Sequence, residues 1–383
     1  MKDILMPQQP LYHTNPDRDV PWNGLPLLPI NEELYKNVEI YEQLGRAKEA
    51  MGLLAGRSVA IPNQAILINS ITLQEAKDSS AIENVFTTND DLYQAFSDSR
   101  FDVNVSAPTK EVLRYREAIW KGHAYLQEHG AFDIDYFINL YREIKEARDG
   151  IRPPFATTYI RQAGSGPNAG KRIYTPPKGK EVLRKKLQNL VNFLNDDSIP
   201  PKEPLLKMAI AHFQFEAIHP FRDGNGRVGR ILNIHYLTQA ELLELPILYL
   251  SRYIIDHKQE YYDTLAGVSQ RGDWESWILY ILRAVDSTAR LTYRKINEIL
   301  EAKETILDAV EREQNFQRPG QLIDAIFVQP FTKVSHLTDA DLYAENTARN
   351  YLNKLHEMGV VEKREIKGRH YYKNHELEQI LSF

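Results

Sequence analysis

From Asn31 to about Phe96 the apolar residues return every three or four positions, as in Leu34, Val38, Tyr41 and Leu44 and again in Ile66, Ile71 and Leu73. That spacing lays them on one face of a helix and predicts a helical N-terminal region. Ahead of it, Pro7, Pro10, Pro16, Pro21, Pro26 and Pro29 rule out a helix and predict an extended arm lying on the body. Helical spacing resumes between Val112 and Ala147 and stops at Gly150, before the Pro153-Pro154 pair. Two short β-prone runs follow, Thr157 to Ile160 and Arg172 to Thr175, separated by Gly164, Gly166, Pro167 and Gly170. Together, residues 155–177 read as an exposed, irregular hairpin.

Further helices are predicted over 181–194, 203–218, about 226–240, 253–268 and 274 to about 314, the last ending before Arg318-Pro319-Gly320. Beyond that break, helices are predicted through Ile323 to Phe327, Asp339 to Tyr343 and Ala348 to Met358, closed by Gly359. Val361 to Glu365 and His370 to Tyr372 then read as a hairpin around Lys367-Gly368. Three helices followed by a hairpin is the order of a winged helix-turn-helix. The pattern divides the chain into 1–105, 106–317 and 318–383, and the fold class is mainly α.

Composition narrows the function. The 383 residues carry 43% hydrophobic and 26% charged side chains, the range of a folded multidomain protein. A net charge of -5 supplies no global field toward nucleic acid or membrane. The absence of cysteine excludes disulfides, thiolate nucleophiles and thiolate metal sites, and a cytoplasmic location is expected. No signal peptide is expected, and no membrane anchor, since no stretch reaches the ~20 apolar residues that a membrane span needs.

The chemistry concentrates in His219-Pro220-Phe221-Arg222-Asp223-Gly224-Asn225-Gly226-Arg227-Val228-Gly229-Arg230. Amides around Gly224, Asn225 and Gly226 suit an anion-binding nest, because glycine permits positive φ and close phosphate approach. A helix starting near Gly226 adds its free N–H groups, with Arg227 and Arg230 on its first turns, to make a polyphosphate cradle. Asp223, the carboxylate of the loop, suits Mg²⁺. His219 is the candidate base, since a neutral imidazole accepts a proton from an attacking hydroxyl. Taken singly, such a histidine is more often a structural residue and Gly-Asn-Gly more often just a turn.

Taken together these residues resemble the Fic family, whose pattern His-x-Phe-x-Asp/Glu-Gly-Asn-Gly-Arg-x-x-Arg is filled by His219, Phe221, Asp223, Gly224, Asn225, Gly226, Arg227 and Arg230. The resemblance implies a Fic-type helical core with a β-hairpin flap. It implies His219 as the base, Asp223 on Mg²⁺, and Phe221 as a packing anchor. It also implies ATP on Gly224 to Arg230, Val228 and Gly229 included, with Arg230 taking the γ-phosphate. Glycine at 226, where a phosphate-transferring branch carries lysine, implies transfer of AMP from ATP to a Ser, Thr or Tyr hydroxyl. The target protein is expected to dock on the 155–177 flap, and a homodimer is expected by resemblance. Residues 251–262 resemble the helix beside the adenine, with Tyr262 as the contact; an ordinary half-buried aromatic is the alternative.

Ser79-Ser80-Ala81-Ile82-Glu83-Asn84 matches the Ser/Thr-x-x-x-Glu-Gly/Asn inhibitory pattern that accompanies such cores, with Ser79, Glu83 and Asn84 at its specified positions. The resemblance implies Glu83 at the ATP site, paired with Arg230 in the γ-phosphate position. Ser80-x-x-Glu83 is also a capping box at a helix start. Two competing functions stand beside the transferase: removal of AMP from a modified protein, and DNA binding through the C-terminal unit. That unit holds as many acidic as basic residues to within one, with Lys363, Arg364, Lys367, Arg369 and Lys373 gathered on the hairpin.

Overall fold

Several helices in this chain start where a side-chain oxygen takes over a free first-turn amide. Ser106 accepts from the Thr109 amide at 3.3 Å, Asp133 from that of Tyr136 at 2.6 Å, and Asn374 from that of Leu377 at 3.0 Å. The computed structural model describes residues 10–59, 64–98, 105–156, 158–161, 170–366 and 368–382, without the side chains of 65–68. The N-terminal helices are α1 (Val38–Val59), α2 (Ala65–Ile82) and α3 (Asn89–Ser97). Next come α4 (Ala107–His129), α5 (Ile134–Lys145), the strands β1 (Ile160–Arg161) and β2 (Arg172–Tyr174), and α6 (Lys180–Asn195). The centre holds α7 (Pro204–Ile218), α8 (Asn225–Gln239), α9 (Leu250–Asp256), α10 (Lys258–Arg271) and the long α11 (Trp274–Arg312). The C-terminal unit is α12 (Pro319–Phe327), β3 (Phe331–Thr332), α13 (Val334–Thr338), α14 (Glu345–Glu357), β4 (Glu362–Ile366), β5 (Arg369–Lys373) and α15 (His375–Leu381).

The fold is mainly helical and α7 lies at its middle. Every residue of α7 from Leu205 to Ile218 is buried, as expected of a helix without a polar face. It is covered by α6, α8 and α11, and the Trp277 indole of α11 donates to the Ala209 carbonyl at 2.8 Å. The amphipathic α1 lays Ile40, Leu44, Ala47, Met51 and Leu54 against α11. Residues 10–30 run extended over this body, where Tyr12, Trp22, Leu25 and Leu28 are buried and Asn189 brackets the Leu28 amide and carbonyl at 2.8 and 2.9 Å. Of the hairpin expected over 155–177, β1 and β2 pair antiparallel; Thr157 and residues 162–169 lie outside the described residues.

Two details differ from the sequence pattern. Residues 253–268 are not one helix: His257 leaves helical geometry at φ -118° and ψ 35°, and its Nδ1 bonds to the Tyr253 carbonyl at 3.0 Å. In the C-terminal unit the second helix is Val334–Thr338, while 339–343 is a turn with Asp341 at φ 52°. Neither the short β3, which joins β4 and β5 in a sheet of order β3-β5-β4, nor α15 is evident in the hydrophobic spacing.

The C-terminal sheet is ion-paired to α3. Asp98, whose side chain is 7% exposed, accepts from Tyr371 at 2.6 Å and Lys333 at 3.0 Å and pairs with Arg369 at 3.1 Å. Asp90 pairs with Lys373 at 2.8 Å and Arg364 at 3.5 Å. Arg364, Arg369 and Lys373 of the hairpin therefore face the chain's own N-terminal region, while Lys363 donates to Asn353 at 3.1 Å and Lys367 lies outside the described residues. Burial works against the Asp98 charge, but Tyr371 and Lys333 outweigh it and hold its carboxyl below the usual range. Among the described residues no helix is long and apolar enough to cross a membrane.

Removing one partner of a buried charge cluster leaves the others unpaired, so Asp98→Ala should lower stability by about 3 kcal/mol in chemical unfolding, with Asp98→Asn losing less. A carboxyl depressed on folding stabilises above its unfolded pKa of about 4 and loses that contribution as pH falls through its folded value. The difference between wild type and Asp98→Ala should therefore shrink below about pH 4.

Candidate active site

The loop between α7 and α8 is held in place from both sides. His219 ends α7 in the left-handed region at φ 49°, and its carbonyl accepts from Arg152 Nε at 2.9 Å. Arg152 is itself buried; its amide donates to the Pro220 carbonyl at 2.9 Å and its guanidinium to the Pro177 carbonyl at 2.5 Å, tying the loop to both roots of the hairpin. Phe221 is fully buried and stacks on Tyr141 with ring centres 4.5 Å apart and planes 2° from parallel. Asn225 closes the loop, its side chain accepting from the Phe221 amide and donating to the Phe221 carbonyl, both at 2.9 Å. Gly224 sits at φ 75°, where a side chain is disfavoured, and hands the chain to α8.

This loop opens onto a cavity of about 720 Å³, the size of a small-ligand site. Its lining includes Ile82, Glu83, Asn84, Glu216, His219, Asp223, Gly224, Asn225, Gly226, Arg230, Lys258, Tyr261, Tyr262 and hairpin residues 158–161. His219 Nδ1 lies 3.3 Å from the Glu216 carbonyl, an acceptor only, so Nδ1 carries the proton and Nε2 the free lone pair. Burial and the neighbouring Arg152 push the His219 pKa down to about 4. The imidazole is thus neutral at physiological pH. One turn earlier, the carboxyl of Glu216 is buried with Oε1 unpartnered, and burial pushes its pKa up to about 8.

Arg230, 1% exposed, meets the C-terminal end of α2. Its Nε donates to Ser79 Oγ at 2.7 Å, and one terminal nitrogen donates to the Ser79 carbonyl at 2.8 Å and to Glu83 Oε1 at 3.0 Å. Burial opposes the Arg230 charge, but Glu83 beside it raises its pKa above the ordinary arginine value. Glu83 caps the C-terminus of α2, directly after Ile82, and Asn84 follows at φ 63°. The Asn84 amide bonds to the Ala81 carbonyl and the Val85 amide to the Ser80 carbonyl, both at 3.0 Å. This is a left-handed helix closure, in which only glycine or asparagine fits comfortably at position 84. It also excludes a capping box, which belongs at the start of a helix. A Cβ on Gly226 would stand 2.4 Å from Glu83 Oε1, so glycine there makes room for the carboxylate.

Other residues are placed differently. Arg227 is buried and its guanidinium pairs with Glu111 of α4, away from the cavity wall. Val228 and Gly229 pack inward, with Gly229 against Glu216 and His212. Asp223 faces the cavity but pairs with Lys145 of α5 at 2.7 Å, and Lys145 also holds Glu111 at 2.8 Å. Burial would raise the Asp223 pKa, yet Lys145 outweighs it and keeps the carboxyl below its usual range. Among the described residues no group of three or more His, Cys, Asp or Glu is gathered to hold a metal. Tyr262 lies on the wall, edge-on to Tyr261 at 5.3 Å, and the Tyr261 hydroxyl is tied to buried His212 at 3.0 Å. Sequence spacing did not mark Arg152, Lys145, Glu111, Glu216 or Lys258. The Pro153-Pro154 break beside Arg152 was the nearest signal.

Fold and site define a helical protein with a histidine-headed, glycine-rich anion loop at the start of a buried helix. The chain belongs to the Fic/DOC family: family models described as Fic/DOC family N-terminal, Fic/DOC family, and Protein adenylyltransferase SoFic-like, C-terminal domain match residues 41–124, 131–237 and 308–377. It is similar to protein adenylyltransferase fic-1 of Caenorhabditis briggsae, 29% identical over 41% of this chain and 28% of that one. The corresponding protein of Caenorhabditis elegans is 26% identical over 48% of this chain and 32% of its own length. The chain thus spans about a third or less of these curated relatives. In structure it resembles a Fic family protein from Desulfovibrio desulfuricans G20, with TM-score 0.55 and 19% identity over 88% of this chain and 96% of that one. Fic-1 from Caenorhabditis elegans gives TM-score 0.50 and 20% identity over 66% and 71%.

A histidine held neutral by its surroundings titrates late. NMR titration of the His219 ring, assigned by loss of the signal in His219→Gln, should give a midpoint near 4, well below the ~6.5 of a free imidazole. A midpoint near the free value would remove the burial argument.

Proposed function

We propose that the chain is a protein adenylyltransferase that moves AMP from ATP to a Ser, Thr or Tyr hydroxyl of a protein, itself included, and that Glu83 holds it off. The observation that carries this reading is the joint lining of one cavity by His219, the Gly224 to Gly226 backbone and Arg230, with Glu83 seated on Arg230. In the reaction the hydroxyl oxygen attacks the α-phosphorus, the bond to the bridging oxygen breaks, and pyrophosphate leaves. The hydroxyl proton passes to His219 Nε2, which the Glu216 carbonyl keeps free by holding Nδ1. Backbone amides at the start of α8 and the Arg230 guanidinium neutralise phosphate charge.

Asp223 suits Mg²⁺, because a lone carboxylate beside phosphates matches an ion that keeps most of its waters. Magnesium bound there would offset phosphate charge. Tyr262 on the cavity wall supports its reading as the adenine contact. While Glu83 occupies Arg230, the γ-phosphate lacks its guanidinium, and ATP lies in an unproductive pose. The target is a protein segment docking on the 155–177 hairpin. The C-terminal unit reads as a winged helix, residues 318–383, and the enzyme as a homodimer in the cytoplasm. DNA binding draws little support from the hairpin, since Arg364, Arg369 and Lys373 are each paired with α3.

Glu83→Gly should raise labelling from α-labelled ATP, on the protein itself or on a lysate target, by about tenfold or more, and His219→Ala in that background should abolish it. Equal labelling by wild type and Glu83→Gly refutes the inhibitory role. Release of AMP from a modified protein that requires Glu83 would favour the reverse reaction.

A further inference from the structure

The end of α2 leaves backbone carbonyls that the helix itself does not use. The left-handed closure at Asn84 satisfies those of Ser80 and Ala81. The remaining two go to cations from other helices. Arg230 of α8 takes the Ser79 carbonyl at 2.8 Å, and Lys258 of α10 takes the Ile82 carbonyl at 2.5 Å. Lys258 is the first residue of α10, the helix that also carries Tyr261 and Tyr262, and all three line the cavity.

We propose that Lys258 is a positioning residue for Glu83: its ammonium pins the last carbonyl of α2, fixes the turn that aims the carboxylate at Arg230, and joins that turn to the Tyr262 wall. This rests on the reading of Glu83 as the inhibitory group. The geometry explains why one more tie is needed. Glu83 is the C-cap directly after the last helical residue, its side chain is 33% exposed, and a free helix end frays. A cation at a helix C-terminus is favoured by the dipole, and a charge-assisted bond there is stronger than a neutral one. Burial pushes the Lys258 pKa below the ordinary lysine value, with Glu83 pulling the other way, so the ammonium depends on the few partners it has. Since the same helix presents Tyr262 to the cavity, any shift of that wall is transmitted to the Ile82 carbonyl and so to Glu83.

The test compares wild type, Lys258→Met, Lys258→Arg, Glu83→Gly and the Glu83→Gly/Lys258→Met double variant, using α-labelled ATP and, in parallel, amide hydrogen exchange at residues 80–85. Lys258→Met should raise labelling by about three- to tenfold over wild type and speed exchange at the turn, while Lys258→Arg restores both. In the Glu83→Gly background the same substitution should change the rate less than about twofold, because the group it positions is gone. If Glu83→Gly activates but Lys258→Met neither activates nor speeds exchange, the proposal is overturned and the inhibitory reading survives. A large rise in the KM for ATP in the double variant also overturns it, since Lys258 would then hold nucleotide. A silent Glu83→Gly, by contrast, overturns both readings.

Discussion

The Arg230 guanidinium sits in the protein interior, and much of the site follows from its need for partners. A buried cation without compensating acceptors is costly, and breaking such a pair by removing one side typically loses about 3–5 kcal/mol. Here Ser79 supplies a hydroxyl and a carbonyl, and Glu83 supplies a carboxylate. Those contacts dictate local sequence. Residue 226 must lack a Cβ for the carboxylate to reach its place, and residue 84 must tolerate a left-handed backbone for α2 to stop where Glu83 points inward. Residues from two distant parts of the chain are thus constrained by one side chain. An anionic ligand able to satisfy the same guanidinium competes with Glu83 for it.

The histidine loop is organised on a different principle, rigidity from ring packing and bonds to backbone groups. Asn225 brackets Phe221, Phe221 stacks on Tyr141, and Arg152 anchors the carbonyl of His219 to the hairpin roots. None of these contacts needs a ligand to form. The backbone that carries the imidazole is held by the fold itself, so no ordering cost is left for a later step. Around it lie groups kept neutral by burial, Glu216 and His212, beside the strongly charged Arg230. The charges that remain beside these buried groups act in a medium that screens them poorly.

Much of this was legible in the sequence, and the misses share a cause. Helical spacing located the helices of the N-terminal region and core where an amphipathic helix such as α1 buries one face, and α7 was found although it buries every residue from Leu205 to Ile218. The loop residues were legible because together they fill the Fic pattern, although each alone reads as an ordinary structural residue or turn. Spacing failed at His257 and in residues 334–343, where side-chain to backbone bonds set the helix ends and hydrophobic period carries no information. It was also blind to partners far away in the chain. Arg227 looks like a phosphate ligand from its place on α8, yet its guanidinium answers to Glu111, 116 residues earlier. Likewise the basic hairpin resembled a nucleic-acid footprint until Asp90 and Asp98 appeared opposite it.

The pairing of α3 with the C-terminal sheet also bears on how the protein is made. Asp98 and Tyr371 are 273 residues apart in the chain. At ribosomal speeds of about 5–20 residues per second, the acidic helix emerges roughly a quarter of a minute to a minute before the strand that neutralises it. During that interval α3 has no basic sheet to rest on. Contacts this distant in sequence are also slow to form because a long loop must close first. The contact between α3 and the C-terminal sheet is thus among the last to form, after the histidine loop and Arg230 have already been synthesised.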